Sequence, residues 1–580
     1  MTYLVNDSAD FVDESIEGFV AANADLVRRV HGGVVRATRT PPGQVAVVIG
    51  GGSGHYPAFA GLVGQGLAHG AAMGNIFASP SAQQIYSVAR AAASDAGVLL
   101  SFGNYAGDVL NFGIAEERLK ADGIPCRCFA VTDDVCSGPA DKAGERRGIA
   151  GDLTVFRAAA LAAAEGKSLD AVHDFASHAN DRTRSFGVAF SGCTLPGASE
   201  PLFTVPESRM GVGMGIHGEQ GIEEVDMPRA DDLADMLVDR LLGERPNDNQ
   251  RAASPRVGVM LNGLGSVKYE ELFVLYRRVS QRLEQAGLTV VQPEVGELVT
   301  SFEMAGVSLT LFWLDDALEA AWTAPATTPA YRRGGVPLEG EPRDADDFAA
   351  IHEQAAPPSS EASRSDAAGV LAVIEAIQAR IEAEADDLGK LDAISGDGDH
   401  GIGMTTGTRA ALAAARRAVE KGCGAGTVLT RAGDAWANEA GGTSGALWGL
   451  GLRCVGTAIG DSDSVAAAAV VQGIRDATDA IMRLGGADIG DKTMLDAMQP
   501  FANALAEQVE AGTCLREAWR HAAKHSEQAA AATAALKPRK GRAKNHSEKS
   551  VGHADPGAVS FAMIVASTAT TLESIHEDVT

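Results

Sequence analysis

Val45-Ala-Val-Val-Ile-Gly-Gly-Gly-Ser-Gly-His-Tyr-Pro57 runs from an uninterrupted apolar segment directly into a burst of glycines. A short, wholly apolar run rich in β-branched residues reads as a strand buried on both faces. Open α/β sheets place ligand loops at the C-terminal ends of such strands, and glycine lets the backbone turn there and approach a ligand closely. The pattern recurs downstream. Val98-Leu-Leu-Ser-Phe102 runs into Gly103-Asn-Tyr-Ala-Gly-Asp108, and Cys128-Phe-Ala-Val131 runs into Thr132-Asp-Asp134. Three such edges predict an open α/β domain whose loops converge along one edge.

Upstream, Phe11 to Val30 carries a helical pattern that ends before a Pro41-Pro-Gly43 turn. Downstream, a second α/β unit begins near residue 185. Its signals are Gly187-Val-Ala-Phe190, Val257-Gly-Val-Met-Leu261, a helix over 269–286, Thr289-Val-Val291 and a last strand at Leu309-Thr-Leu-Phe-Trp-Leu314. Pro, Ala, Arg, Glu and Ser then dominate, as in Ala355-Ala-Pro-Pro-Ser-Ser360, and predict a linker over 324–367. Beyond it the chain is Ala-rich and helical. Eight helices are expected, near 368–387, 402–420, 425–439, 444–459, 463–484, 491–511, 513–536 and 556–573. The predicted architecture is an α/β half at 1–323, divided near 185, and an all-α antiparallel bundle at 368–580 with its site at one end.

The bulk numbers exclude several function classes. A net charge of −27 over 580 residues argues against nucleic acid as a partner. No apolar run is long enough to span a membrane, and no signal-peptide pattern opens the chain. The seven cysteines are scattered, and Cys126-Arg-Cys128 is spaced too closely for a zinc pair, so reduced thiols in a cytoplasm are expected.

The strongest chemical signal in the helical half is Leu391-Asp-Ala-Ile-Ser-Gly-Asp-Gly-Asp-His-Gly401. Asp392, Asp397 and Asp399 lie so close that their charges repel unless a hard cation sits between them. An EF-hand fails, because counting from Asp397 puts Gly401, Ile402 and Thr408 at the fifth, sixth and twelfth positions. Three carboxylates with positions left for water and phosphate suit Mg²⁺. Taken alone, Asp-Gly-Asp is also what a solvated loop looks like. Gly441-Gly-Thr-Ser-Gly-Ala446 at a helix start offers free amides for a phosphate. Gly485-Gly-Ala-Asp-Ile-Gly-Asp-Lys-Thr493 misses the P-loop pattern by one inserted residue. In the α/β half, His55, Asp108 and His217 each sit on a separate glycine loop, and a His–Asp pair is a common acid–base arrangement. Gly213-x-Gly215-x-x-Gly218 matches the dinucleotide fingerprint only formally, because no clean strand precedes it.

Over nearly its whole length the chain resembles the dihydroxyacetone kinase family. The resemblance rests on Gly50-Gly-Gly-Ser-Gly-His55, Gly74-Asn-Ile-Phe-Ala-Ser-Pro80, Asn104-Tyr-Ala-Gly-Asp108 and Gly215-Ile-His-Gly-Glu219 in the α/β half. In the helical half it rests on the 391–401 stretch, Gly441-Gly-Thr-Ser-Gly445 and Asp555-Pro-Gly557. The resemblance implies an ATP-dependent kinase that holds a short ketose covalently on His217 as a hemiaminal. His55 and Asp108 would be the acid–base pair. Gly52, Ser53, Gly54 and Gly103 would complete the substrate loop. Asp392, Asp397 and Asp399 would hold two Mg²⁺ ions on the ATP phosphates. His400, Gly401, Ile402, Gly403, Thr443, Ser444, Arg542, Asp555, Pro556 and Gly557 would surround the nucleotide. A homodimer formed through the α/β half is expected on the same ground, and closure across the linker would exclude water from the reaction.

The departures bear on the substrate. Gly103 stands where the family usually has lysine, Tyr56 stands where it has glutamate, and the loop around Arg542 keeps only Gly541-Arg-Ala543. Loss of the lysine opens space beside the substrate, so the expected substrate is one carbon longer than dihydroxyacetone. That makes it erythrulose, phosphorylated on a terminal hydroxyl to give erythrulose 4-phosphate, with dihydroxyacetone as the other candidate. Two other readings follow from the same resemblance: FAD-AMP lyase activity that forms cyclic FMN, and a ketose-binding regulatory protein without catalysis.

Overall fold

The computed structural model describes residues 4–217, 219, 221–246, 255–335, 356–394, 398–440, 442–540 and 547–577. The chain divides into two compact units, Met1–Gly340 and Glu341–Thr580.

Among its described residues the first unit contains two large sheets and one two-stranded ribbon. The six-stranded sheet has β1 (Val27–Val30), β2 (Gly33–Arg36), β3 (Ala46–Ser53), β4 (Gly70–Ile76), β5 (Val98–Gly103) and β6 (Cys126–Val131), in the order β1-β2-β4-β3-β5-β6. β3 runs parallel to β4 and β5, and β5 runs parallel to β6. Every residue of β3 is buried, as a strand covered by helices on both faces requires. Helices Ala82–Ala92 and Ala106–Ala121 contribute to one core, and Asp152–Ala164 and Leu169–Asp181 to another. The helix expected over 11–30 ends at Ala22, and Val27–Val30 instead pairs antiparallel with Gly33–Arg36. Gly32, at φ +82°, makes the tight turn that reverses the chain.

The seven-stranded sheet follows, with β7 (Thr183–Ala189), β8 (Arg209–Val212), β9 (Glu223–Asp226), β10 (Arg256–Gly263), β11 (Thr289–Val290), β12 (Glu294–Gly296) and β13 (Gly306–Leu314). β13 is buried throughout and lies between β10 and β7, antiparallel to both. A bridge from Asp134 to Ser185 ties the loop after β6 to the start of β7, so the two sheets meet where the first sheet's loops emerge.

The second unit is helical, and none of its described residues forms a strand. The eight-helix expectation needs correction: ten helices occur among the described residues, because Ala385–Asp392 and Ser547–Ser550 are separate short helices. The eight long ones are Glu361–Ala383, His400–Glu420, Ala425–Ala440, Gly442–Ile459, Ala467–Gly485, Leu495–Glu510, Leu515–Ala532 and Pro556–Glu577. The first begins before the expected 368 because the Ser360 hydroxyl accepts the Ser363 N–H at 3.0 Å, capping it there. Inside the start of the expected linker, Ala326–Thr327 pairs with Arg332–Arg333 in the first unit. The bundle core stacks Trp436 on Trp448 at 5.3 Å, with Phe501 edge-on to Trp519 and Phe561. Phe501 is fully buried. Phe501→Ala should therefore destabilise the helical unit by about 3–5 kcal/mol. Denaturant unfolding of the variant checks this, and a change below about 1 kcal/mol would contradict the assigned packing.

Candidate active site

The site in the first unit is built from loops of both sheets. β3 ends in glycines because nothing larger fits: a Cβ on Gly52 would lie 2.7 Å from the Ala78 nitrogen. Ser53 donates its hydroxyl to the Gly74 carbonyl at 2.7 Å, and Gly54, at φ +104°, turns the chain so that His55 points inward. His55 is 1% exposed. Its Nδ1–H donates to the Thr300 carbonyl at 2.7 Å, and its Nε2 meets His217 Nε2 at 2.9 Å. Phe77 stacks on the His55 ring at 4.9 Å and packs edge-on against His217.

His217 is held from its other side. Its Nδ1–H donates to Glu219 Oε1 at 2.9 Å, and its backbone N–H donates to Glu219 Oε2 at 3.0 Å. The Arg147 guanidinium lies 3.9 Å from the same carboxylate and is itself paired with Asp134 at 2.8 Å. Gly215 is required here, since a Cβ would come within 2.1 Å of Glu219 Oε2.

These contacts set the hydrogen positions. Thr300 claims a hydrogen on His55 Nδ1, which leaves His55 Nε2 as an acceptor. Burial, and then the neighbouring His217, push the His55 pKa down to about 3, which agrees with a neutral ring. Satisfying both of its contacts places a hydrogen on each His217 nitrogen, one facing Glu219 and one facing His55. Burial alone would raise Glu219, but the hydrogen bonds and charge of His217 more than offset it and hold the carboxyl at about 2.

Asp108 occupies the first turn of helix Ala106–Ala121 and is electrostatically coupled to His217. Burial raises its pKa to about 6, against a hydrogen bond from Ser79. Its Oδ1 is buried with no partner, so an acceptor stands ready for a hydroxyl. The structure thus hydrogen-bonds His55 to His217, while Asp108 stands beside them. The glycine fingerprint at 213–218 is not followed by a helix: Glu223–Asp226 is a strand, and Gly218 lies outside the described residues.

In the second unit, Asp392 ends helix Ala385–Asp392 and accepts the Gly398 N–H at 2.9 Å, folding the acidic loop back on itself. Asp399 immediately precedes helix His400–Glu420, and Asp397 lies outside the described residues. Among the described residues no group of three metal-ligating side chains forms. Asp392 and Asp399 are nonetheless hard oxygen donors, a donor type that fits Mg²⁺. His400 Nε2 meets the Ser560 hydroxyl at 3.0 Å, linking this turn to the last helix. Asp555 accepts the Ala558 N–H at 2.8 Å, and burial pushes its carboxyl up to about 7. Pro556 and Gly557 open that last helix, and the Asp555 carboxyl and carbonyl cap its first backbone N–H groups. Gly401 is demanded by packing, because a Cβ would come within 1.9 Å of the Ala385 carbonyl. Ile402 is 72% exposed, and Gly403 has no neighbour where a Cβ would sit. Ser444 is exposed near the start of its helix. Arg542 and the Thr443 side chain lie outside the described residues. Lys492, in the near-miss P-loop, donates to the carbonyls of Leu536, Ser550 and His553, and so pins loops together.

Sequence reasoning did not assign Thr300, Ser79, Arg147, Tyr105 or the orienting role of Glu219. Ser79, Tyr105 and Glu219 did fall inside motifs that stood out. Thr300 is 245 residues from its partner, and nothing local announces it.

A paired-histidine α/β unit and a helical unit carrying an acidic loop define a two-unit phosphotransferase. The Dak1 domain model matches residues 17–330, and the DAK2 domain model matches residues 394–570. The L-erythrulose kinase of Pectobacterium atrosepticum is 57% identical, over 99% of this chain and 97% of its own. The D-erythrulose kinase of Mycolicibacterium smegmatis is 53% identical over 97% of each chain. The human triokinase/FMN cyclase is 32% identical over 98% of this chain and 99% of its own. The crystal structure of the C. freundii dihydroxyacetone kinase with AMP-PNP and Mg²⁺ matches with a TM-score of 0.59 at 28% identity, covering 98% of this chain and 99% of that one. The chain belongs to the dihydroxyacetone kinase family and is a phosphotransferase with an alcohol group as acceptor. Among the described residues no helix is long and apolar enough to cross a membrane.

Glu219→Gln removes the charge that orients His217 and should lower kcat/KM for phosphotransfer by about 100-fold, with the variant still folded. Initial rates checked beside a thermal melt decide this. A fall below about threefold would mean that Glu219 does not orient His217.

Proposed function

We propose that this enzyme transfers the γ-phosphate of ATP to a terminal hydroxyl of erythrulose held covalently on His217. The observation that carries the reading is the His217 imidazole, fixed by Glu219 on one side and facing a neutral acceptor, His55 Nε2, on the other. The Nε2–H proton passes to His55, and the freed lone pair adds to the ketone carbon. The carbonyl π pair moves to oxygen, and His55 returns the proton there, leaving a hemiaminal hydroxyl on a ring that keeps its Nδ1–H and its positive charge, paired with the Glu219 carboxylate. His55 suits this exchange because its low pKa makes it a transient carrier. Asp108 then takes the proton of a terminal hydroxyl as that oxygen attacks the γ-phosphorus and ADP leaves. A polyol has no carbonyl to add to, so the tether selects ketoses.

Gly52, Ser53 and Gly54 form the floor of this substrate loop, and the substrate is a four-carbon ketose, with Gly103 bare between the Gly148 carbonyl, the Tyr105 ring and Asp152. The 57% and 53% identical relatives named for erythrulose support that length, and the first of them supports the L enantiomer. The greater distance of the triokinase/FMN cyclase, at 32% identity, places the lyase reading second. Asp392, Asp397 and Asp399 would hold two Mg²⁺ ions, which neutralise phosphate charge when bound. His400 to Gly403, Thr443, Ser444, Arg542 and Asp555 to Gly557 would line the nucleotide. We also propose a homodimer through the α/β unit, where Tyr269, Phe273 and Val274 expose apolar surface on one helix. A cytoplasmic setting would keep the seven free thiols reduced.

Initial rates of ATP turnover with L-erythrulose, D-erythrulose, dihydroxyacetone and glycerol test the reading. An erythrulose should give the highest kcat/KM, glycerol should give no turnover, and His217→Ala should lose at least about 1000-fold with every ketose. Glycerol turnover equal to that of the ketoses would sink the tether, and preference for dihydroxyacetone would sink the substrate length. The pH profile is a second test. Asp108 acts as a base only when ionised, so kcat/KM should fall as pH drops through about 6, and Asp108→Asn should lose most activity together with that limb.

A further inference from the structure

Besides Asp108, two buried polar groups near His217 have an atom without a protein partner: the Tyr105 hydroxyl and Asp152 Oδ1. The proposed reaction uses neither. Asp152 opens helix Asp152–Ala164 and is 4% exposed. Its Oδ2 lies 3.4 Å from the point where a side chain on Gly103 would begin, and the Tyr105 ring lies 3.3 Å from that same point. Its Oδ1 lies 2.8 Å from the corresponding point on Gly148. Two bare glycines therefore bring this carboxyl up to the strand end that leads into Tyr105 and Asp108. Tyr105 stands edge-on to His217, with ring centroids 4.8 Å apart.

The neighbouring Asp133 provides a contrast. It is satisfied by backbone N–H groups of Ile149 and Gly151, each at 2.8 Å, as a structural carboxylate is. Asp152 Oδ1 has no such partner, and a buried acceptor left unpaired costs stability unless a ligand completes it. Burial, with Asp133 and Asp108 close by, raises Asp152 well above the usual carboxylate range. The neutral acid thus favoured can both donate to a hydroxyl and accept from one.

We propose that Gly103, Tyr105 and Asp152 form a hydroxyl-reading subsite beside His217, in which Asp152 and the Tyr105 phenol hydrogen-bond the secondary hydroxyl of a four-carbon ketose. Dihydroxyacetone has hydroxyls only at its two ends and leaves this subsite unfilled. The inference rests on the erythrulose reading and adds the residues that select that substrate.

The test compares kcat/KM for L-erythrulose with that for 1,4-dihydroxybutan-2-one, which has the same length but lacks the secondary hydroxyl. The wild-type enzyme should prefer erythrulose by about 30-fold, Asp152→Ala should shrink that preference below about threefold, and Asp152→Asn should restore most of it. Tyr105→Phe, which removes a single hydroxyl, should shrink the preference several-fold and serves if Asp152→Ala does not fold. An unchanged preference in these variants overturns the subsite, as does a wild-type enzyme that treats the two ketones alike. Failure of the erythrulose reading itself shows separately, as a wild-type preference for dihydroxyacetone over erythrulose.

Discussion

The contact between His55 and His217, 2.9 Å long and bridging 162 residues of sequence, is the constraint on which the α/β unit's chemistry depends. His55 comes from the loop after β3 in one sheet. Thr300, which fixes its ring, lies between β12 and β13 of the other, and His217 and Glu219 lie between β8 and β9. Neither imidazole could hold its orientation if the two sheets slid past each other. The bridge from Asp134 to Ser185 and the Asp134–Arg147 pair stitch the sheets together beside this contact.

Hydrogen bonding, set against burial, then separates the roles of two carboxyls beside this pair. Glu219 accepts two N–H groups from His217 and is held at about 2, so it stays a fixed negative partner. Asp108 has an empty acceptor and is raised to about 6, so it can exchange a proton near neutral pH. Pairs of titratable groups whose surroundings push them apart are how one site carries both an orienting charge and a base. The helical unit handles charge differently. Its described acidic side chains, Asp392 and Asp399, are hard oxygen donors of the kind a divalent cation takes.

Much of this was legible in the sequence. The run from Val45 to Ile49 followed by glycines announced a buried parallel strand and a ligand loop, because burial on both faces leaves no polar alternation. His55, Asp108 and His217 stood out for their glycine settings, and the structure gathers them. Val27–Val30 misread as helix because its apolar spacing continued that of the preceding helix, and only the turn at Gly32 reveals the hairpin. β9, with its mostly exposed Glu223–Asp226, has no apolar signature at all. Thr300 acts through a backbone carbonyl, so no residue type could mark it. Nothing in the sequence marks Asp152, since its significance comes from the missing side chains at Gly103 and Gly148.

The central claim is that the imidazole of His217 becomes bonded to the substrate's ketone carbon. The most direct measurement is a ¹³C spectrum of the ¹⁵N-histidine-labelled enzyme saturated with erythrulose labelled at the ketone carbon. The account predicts that the bound ketone resonance gives way to a tetrahedral carbon coupled to one histidine nitrogen, and that this signal is absent in His217→Ala. A bound substrate that keeps its ketone resonance, or a tetrahedral signal that survives in His217→Ala, would contradict it.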